Sequence, residues 1–212
     1  MNFVKVSIVA AVLVLGTFGV YRFVSCNKPV LNTIYDARSN RTIIIKRITD
    51  NFVENEPGFR ASILKLFKDH PKVMEGAFAY FPTIDAIVKS SFEYEQKEFD
   101  AQKPGAYFIQ ALVDEKPVGY VSFDMQPNGS AYMRQLTVDP ACQGMGIGKY
   151  LTFAIFTIRP EVTKITLNTN RYDISAIGFY KHIGFVEGPI IPQKDFNPDL
   201  KLWLGLEFTK NS

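Results

Sequence analysis

Residues 133–156, with the sequence MRQLTVDPACQGMGIGKYLTFAIF, run from a predicted strand through a glycine-rich loop into a predicted helix. The β-branched run at residues 136–138 indicates the strand, Asp139-Pro140 ends it, and apolar residues recur at helical spacing after Gly148. Glycines let backbone N–H groups converge, and the helix start offers unpaired N–H groups and the positive end of its dipole. The stretch therefore predicts a loop that binds a phosphorylated ligand, formed by Gln143, Gly144, Met145, Gly146, Ile147, Gly148 and Lys149.

Two common phosphate-binding loops do not fit this sequence. The dinucleotide fingerprint Gly-x-Gly-x-x-Gly fails because Lys149 holds the position of the third glycine. The nucleotide-triphosphate loop fails because Gln143 replaces its first glycine and Tyr150 replaces the hydroxyl residue that would bind magnesium. The pattern that does fit is Gln-x-x-Gly-x-Gly, which is met by Gln143, Gly146 and Gly148.

This pattern, preceded by Leu136-x-Val138-x-Pro140, resembles the signature loop of the GNAT superfamily of N-acetyltransferases, which binds the pyrophosphate of acetyl-CoA. Downstream, residues 170–176 (NRYDISA) lead into residues 179–185 (FYKHIGF), which is similar to the second signature of the family, Asn-x-x-Ala followed by Tyr-x-x-x-Gly-Phe. The two motifs occur in the order that the family has, and the resemblance extends over roughly residues 42–208.

The resemblance implies an α/β (α+β) fold, the GNAT fold, with a mixed, mostly antiparallel central sheet of six or seven strands flanked by helices. Local patterns are typical of such a sheet, because short β-branched runs alternate with turn residues. Three sequential antiparallel strands are expected to lead up to the loop at Gln143. The strands are predicted at residues 42–48, 107–113, 118–124, before the loop, and at 164–167, 186–191 and 200–208; helices are predicted at 59–67, within 73–99, after Gly148 and at 175–182.

Composition limits the classes of function. At 212 residues and 47% hydrophobic, the chain is long enough for one well-buried domain, predicted at residues 42–212, with an extension before it. The net charge of +3, without a basic cluster, does not indicate a nucleic-acid partner. Cys26 and Cys142 cannot form a disulfide framework, and no Cys/His spacing predicts a zinc site, so no metal is expected.

The N-terminal 26 residues predict a hydrophobic helix that serves as a membrane anchor or a signal segment. Residues 6–20 are apolar or small without interruption, and their length lies between a secretory signal and a membrane span. Basic residues are denser after the run, from Arg22 onward, which favours an uncleaved, single-pass anchor with the domain in the cytoplasm. The alternative is a secreted protein or a lipoprotein after cleavage near Cys26. Residues 27–41 are polar and are predicted to be a linker.

The resemblance also implies a reaction, the direct attack of a primary amine on the thioester of acetyl-CoA within a ternary complex. Backbone groups of Leu136, Thr137 and Val138 would pair with the pantetheine arm. Tyr180 holds the position of the tyrosine that protonates the coenzyme A thiolate. Asp173 stands where the family usually has an asparagine that contacts coenzyme A; a carboxylate there would repel phosphate, and its other role is a cap for the following helix.

No general base is evident from the sequence. In the branch of the family that acetylates ribosomal protein amino termini, a glutamate stands where this chain has Asn168. In the family, the helical region before the hairpin shapes the acceptor site, so the resemblance implies that Tyr80, Glu93, Tyr94 and Glu95 line it. The glutamates are candidate proton acceptors or, alternatively, part of a solvated helix face. We interpret His182 as a surface residue, and Cys142 lacks a base partner for a nucleophilic role.

Two functions remain open at this level. The first is an active acetyltransferase at the membrane, whose acceptor is a small molecule or a protein: a lysine, a protein amino terminus, a polyamine or an antibiotic amine. The second is a catalytically silent module of the same fold that binds coenzyme A or a protein partner. The presence of Gln143, Gly146, Gly148 and Tyr180 together favours the enzyme.

Overall fold

The computed structural model describes residues 30–36, 39–49, 82–191 and 203–210, and the single positions 60, 64, 67, 68 and 71. The predicted anchor at residues 1–26 lies outside the described residues, as do Tyr80 and most of the helix predicted at residues 59–67.

Within the described part of the chain, one mixed sheet contains eight strands in the order β1-β2-β3-β4-β5-β6-β8-β7. Neighbouring strands are antiparallel except β5 and β6, which are parallel. Helices α1 to α4 lie between strands along the chain. The bounds are β1 Val30–Asp36, β2 Arg41–Arg47, α1 Ile84–Asp100, β3 Ala106–Val113, β4 Lys116–Met125, β5 Ala131–Val138, α2 Ile147–Phe153, α3 Ile155–Ile158, β6 Lys164–Asn170, α4 Ile174–His182, β7 Val186–Gly188 and β8 Trp203–Thr209.

Strands β3, β4 and β5 form an antiparallel meander that ends at the glycine-rich loop. The turn between β3 and β4 is two residues long, with Asp114 and Glu115 at φ 50° and 65°, as a tight hairpin turn requires. At the next turn, the Asn128 carboxamide oxygen accepts hydrogen bonds from the Ser130 N–H at 3.0 Å and the Ser130 hydroxyl at 2.7 Å. The predicted meander is confirmed.

Each face of the sheet has its own apolar cluster, because successive strand residues point to opposite faces. The larger core lies under α2, α3 and α4. It includes Ile109, Val121, Phe123, Met133, Ile165, Leu167, Ile147, Leu151, Ile155, Tyr180 and Phe185. The smaller cluster joins α1 to the opposite face through Val88, Phe108, Tyr120 and Ile48.

The helix α1 begins directly after Pro82 and Thr83. The Thr83 hydroxyl accepts a hydrogen bond from the Ala86 N–H at 3.1 Å, which caps the first turn. Asp85 in the first turn and Lys97 in the last complement the helix dipole. The helix therefore starts and ends at positions that its own sequence favours.

The predicted fold class is confirmed, a mixed and mostly antiparallel sheet flanked by helices. The sheet has one strand more than predicted, because residues 30–36 of the predicted linker form β1 and pair with β2, for example Ile34 with Ile43. The linker prediction is corrected for these residues. The sequence concealed this strand because its residues, VLNTIYD, show no regular alternation of apolar and polar side chains, and an edge strand can leave most of its side chains exposed.

No helix among the described residues is long and apolar enough to cross a membrane. The longest of them, α1, has 17 residues and carries charged side chains along its length, whereas a span needs about 20 mostly apolar residues. The prediction of a single-pass membrane protein with its domain in the cytoplasm is contradicted by this finding. The predicted hydrophobic N-terminal helix lies outside the described residues.

The larger core should dominate the stability of the domain. Leu151→Ala removes a side chain of α2 that is 0% exposed, and we expect it to lower the free energy of unfolding by about 2–5 kcal/mol. The matched control Ile174→Ala removes an aliphatic side chain of the same size from α4 that is 64% exposed, and it should cost less than about 1 kcal/mol. Urea denaturation measures both, and equal losses would contradict the assignment of this core.

Candidate active site

The strands β5 and β6 separate soon after they begin. They pair only at Ala131 with Ile165 and at Tyr132 with Thr166. Beyond these pairs, β5 stays hydrogen-bonded to β4 as far as Val138, and β6 stays bonded to β8 as far as Asn170. Among the described strands, none pairs with the two facing edges, so a cleft opens through the sheet toward the glycine-rich loop.

The backbone of β5 presents alternate residues to this cleft. The Asp139 N–H donates to the Val118 carbonyl at 2.7 Å, which directs Asp139 toward β4. Because backbone groups alternate in direction along a strand, Thr137 also turns toward β4, while Leu136 and Val138 turn their N–H and C=O groups into the cleft. Of the three residues predicted to pair with a ligand through the backbone, the structure thus places two at the cleft and directs Thr137 away from it.

The glycine-rich loop ends β5 and begins α2. Gly144 and Gly146 have φ values of 85° and 76°, in the left-handed region that favours glycine. The first intrahelical hydrogen bond runs from the Tyr150 N–H to the Gly146 carbonyl at 3.1 Å. The N–H groups of Ile147, Gly148 and Lys149 lie before this bond and have no helical partner.

The loop has the shape and donor set that an anionic group requires. Gln143, Gly144, Gly146 and Lys149 are exposed, whereas Ile147 is buried in the core and Met145 packs against it. The core therefore holds the loop in place through its apolar side chains while its backbone donors face outward. The unpaired N–H groups at the start of a helix make this cradle suited to the pyrophosphate of coenzyme A.

Gly148 connects the two sequence motifs physically. A Cβ atom at this position would lie 3.0 Å from Cζ of Phe179, which is tighter than ordinary side-chain contacts. The missing side chain thus lets α4 approach the first turn of α2. Tyr180, the next residue of α4, lies in the larger core.

Tyr180 is buried among aromatic rings. Its ring centroid lies 5.1 Å from that of Phe179 and 5.4 Å from that of Phe185. Burial raises the pKa of the phenol above its ordinary value, and the charges of Asp173 and Tyr132 raise it further. Tyr180 therefore carries its proton at neutral pH.

Asp173 caps α4. Its Oδ1 accepts a hydrogen bond from the Ala176 N–H at 2.9 Å, which is the geometry of a helix N-cap. Of the two roles considered for this residue, the structure shows the cap. A contact between Asp173 and coenzyme A stays a prediction.

A buried charge cluster lies on the sheet face that α1 covers. The Arg134 guanidinium donates to both carboxylate oxygens of Glu95, at 3.4 and 3.3 Å, and to Oδ1 of Asp124. It also lies over the ring of Phe108, 5.0 Å from the centroid. Burial raises the pKa of both carboxyl groups and alone would lower that of Arg134, but the two carboxylates outweigh this and raise the Arg134 pKa.

This cluster was not identified as functional from the sequence. The sequence predicts both Arg134 and Asp124 only as members of strands. The available signal was a charged residue in the middle of β5 and another near the end of β4, in strands that are otherwise predominantly apolar, because buried charges are rare unless they are paired.

The side chains considered as proton acceptors are hydrogen-bonded to other groups or lie on the exposed face of α1. Both oxygens of Glu95 are bonded to Arg134, and Glu93 lies on the exposed face of α1 beside Lys89, at 3.7 Å. Asn168 donates from Nδ2 to the Ile191 carbonyl at 2.6 Å and accepts from the Ile191 N–H at 3.0 Å. Its amide thus serves as a strand partner for the chain after β7.

The remaining candidates have no position for catalysis in this arrangement. His182 is exposed at the end of α4. Burial raises the pKa of the Cys142 thiol, which opposes formation of a thiolate. Among the described residues, no group of His, Cys, Asp or Glu is arranged to hold a metal ion.

Comparison with known proteins gives two curated relatives, both named peptidyl-lysine N-acetyltransferase YjaB. The protein from Salmonella typhimurium is 30% identical over 93 residues, which is 44% of this chain and 59% of the relative. The protein from Escherichia coli is 34% identical over 71 residues, which is 34% of this chain and 43% of the relative. The chain thus spans about half the length of the curated relatives it matches.

Among solved structures, the PaiA N-acetyltransferase of Thermoplasma acidophilum, in complex with coenzyme A, aligns with a TM-score of 0.53. The alignment covers 79% of this chain and 98% of that chain at 14% identity, which shows a shared fold. The model of the acetyltransferase (GNAT) family matches residues 71–185, more than half of the chain and a range that includes both motifs. The chain therefore belongs to the acetyltransferase (GNAT) family.

Proposed function

We propose that this chain is an N-acetyltransferase that transfers the acetyl group of acetyl-CoA to a primary amine. The observation that carries the proposal is that the unpaired edge of β5 leads into the glycine-rich loop, and that α4, which carries the buried Tyr180, packs against the helix that follows this loop. A module that only binds coenzyme A would need the loop but no proton donor.

Acetyl-CoA would supply an activated thioester. In this assignment, backbone N–H groups of the loop and the first turn of α2 bind the pyrophosphate, and Leu136 and Val138 pair with the pantetheine arm as a further strand would. One of the two N–H groups on this edge would polarise the thioester carbonyl, because a donor directed at developing negative charge lowers the barrier.

The chain's part in the reaction is to position the reactants and to transfer a proton. The amine nitrogen forms a bond to the carbonyl carbon, the carbon–sulfur bond breaks, and Tyr180 gives its proton to the leaving thiolate. The proposal requires the thiolate to be released close to Tyr180, where poor solvation of the thiolate would favour this transfer even though burial raises the pKa of Tyr180. The proton of the amine would pass to water, because Arg134 holds both oxygens of Glu95, and the Tyr180 phenolate would regain its proton from water.

A protein lysine is our first candidate for the acceptor. The support comes from the two relatives, which are named for acetylation of peptidyl-lysine. The charge cluster under α1 has one carboxylate more than it has cations, because Arg134 faces two carboxylates while Lys103 pairs with Glu98 alone, at 2.5 and 2.6 Å. This surplus of negative charge is compatible with a cationic acceptor. Assay of the full chain with acetyl-CoA and lysine peptides, amino-terminal peptides, polyamines and an aminoglycoside tests this; acetylation of none of them, despite binding of acetyl-CoA, would contradict the enzyme.

The loop assignment predicts the effect of a negative charge at Gly146. Gly146→Asp should weaken acetyl-CoA binding by at least about tenfold, because the carboxylate would lie beside the pyrophosphate. Isothermal titration calorimetry measures the dissociation constant. Gly146→Asn has nearly the same shape without the charge and should have a smaller effect.

Gly129→Asp is the control for backbone strain. Gly129 has φ 77°, close to the 76° of Gly146, but it lies in the turn between β4 and β5 with no atom near its Cβ position. The control should therefore keep the affinity of the wild type. Equal affinity in Gly146→Asp and in the wild type would refute the loop assignment.

The acid assignment predicts the effect of removing one hydroxyl. Tyr180→Phe keeps the aromatic packing and removes the proton, so kcat should fall by roughly 10- to 1,000-fold while the affinity for acetyl-CoA stays within about twofold. Tyr107→Phe is the matched control, since Tyr107 is a buried tyrosine on β3 whose hydroxyl bonds to Arg159 at 2.5 Å. Steady-state kinetics measures both; an unchanged kcat in Tyr180→Phe would leave Tyr180 a core residue.

A further inference from the structure

The strand β5 contains one residue more than its partner β4 at the point where the cleft begins. Gln135 is opposite Ser122 and Met133 is opposite Phe123, so Arg134 has no partner of its own. Such a bulge bends the strand and increases its twist. The pairing between β5 and β6 ends at Tyr132, two residues before the bulge.

The side chain of the bulged residue is the centre of the buried charge cluster. It is 5% exposed and bonds to Glu95 on α1 and to Asp124 on β4. Asp124 lies directly opposite Tyr132, just before the bulge. Arg134 therefore ties the bulge to the neighbouring strand and to the helix above it.

Stability alone does not account for this arrangement. Removing charges from water is costly, and a buried ion pair often stabilises a fold no more than apolar residues of the same size would. What a planar guanidinium with two carboxylate partners does provide is geometry, because its donors point in fixed directions. The cluster thus restricts where the backbone of the bulge can lie.

The position of the bulge decides which backbone groups face the cleft. One extra residue reverses the alternation of the strand, so that after Arg134 the groups of Leu136 and Val138 turn into the cleft. A bulge displaced by one residue would change how these groups are presented.

We propose that Arg134 is a positioning residue, which holds the bulge of β5 so that Leu136 and Val138 meet the pantetheine arm. The inference rests on the proposed function, since it requires that coenzyme A occupies the cleft. The inference does not involve the glycine-rich loop, because Ile147 and Met145 hold this loop in the larger core on the other face of the sheet.

The test compares two ligands on the full chain by calorimetry. Coenzyme A engages both the loop and β5, whereas 3′-phosphoadenosine 5′-diphosphate carries the pyrophosphate but lacks the pantetheine arm. Arg134→Lys keeps the positive charge and loses the planar fork. It should weaken binding of coenzyme A by about tenfold, which is the loss expected for about one backbone hydrogen bond, and leave binding of the nucleotide unchanged.

Two further variants test whether the effect is specific to Arg134. Arg41→Lys is the matched control, since Arg41 bonds to Asp114 through Nε and Nη2, at 2.9 and 2.7 Å, elsewhere in the sheet; it should bind both ligands as the wild type does. The double variant Arg134→Met with Glu95→Gln removes the pair without leaving Glu95 as a buried unpaired charge. It should show the same selective loss and is measured in addition to Arg134→Lys.

The outcomes separate this inference from the proposed function. A selective loss of coenzyme A affinity in the Arg134 variants supports positioning. Equal losses for both ligands, no loss for either, or failure of both Arg134 variants to fold would overturn it and leave a structural role only. Failure of the wild type to bind coenzyme A would instead refute the proposed function, and this inference with it.

Discussion

The short parallel pairing between β5 and β6 is the constraint on which the rest of the site depends. Two neighbouring strands that stop pairing after Tyr132 and Thr166 leave backbone donors and acceptors open inside a domain. Such groups are costly when they are buried without partners. The surrounding elements keep this opening in the fold. A ligand in the cleft would pair with the open backbone groups.

Each edge of the opening has its own support. On the β6 side, Asn168 uses its side-chain amide as a strand would, and both of its polar atoms bond to the backbone of Ile191. On the β5 side, the bulge at Arg134 turns the strand, and Glu95 and Asp124 hold the arginine. The polar side chains that interrupt these strands are therefore engaged in the geometry of the cleft.

The two faces of the sheet carry different kinds of side chain. The face under α2 and α4 is strongly apolar, carries the loop and buries Tyr180, which keeps that phenol protonated. The face under α1 carries the smaller apolar cluster and the buried charges. In the proposed function, acetyl-CoA and the amine would meet where β5 and β6 separate.

The resemblance of two motifs to a known family implied the fold class, and local signals in the sequence were sufficient for the meander of β3 to β5, the glycine-rich loop and the helix that contains Tyr180. Each of these depends on residues near one another in the chain: turn residues, glycines and a strand followed by a helical period. The strand β1 was missed for the same reason, since its residues show no regular alternation, and its pairing with β2 is a contact that local patterns do not reveal. The predicted membrane location relied on a segment outside the described residues, and no described helix supports it.

Tertiary structure alone decided the arrangement around the cleft. That Leu136 and Val138 face it while Thr137 does not follows from the register of β5 on β4, which one inserted residue reverses. That Glu95 is held by an arginine follows from the packing of α1 over a strand 39 residues away in the sequence. Side-chain pairing of this kind depends on the distance between atoms in the folded chain. The sequence by itself therefore determined most of the strands and helices and predicted a loop for an anionic ligand, while the fold decided which backbone groups face the cleft and which charges meet.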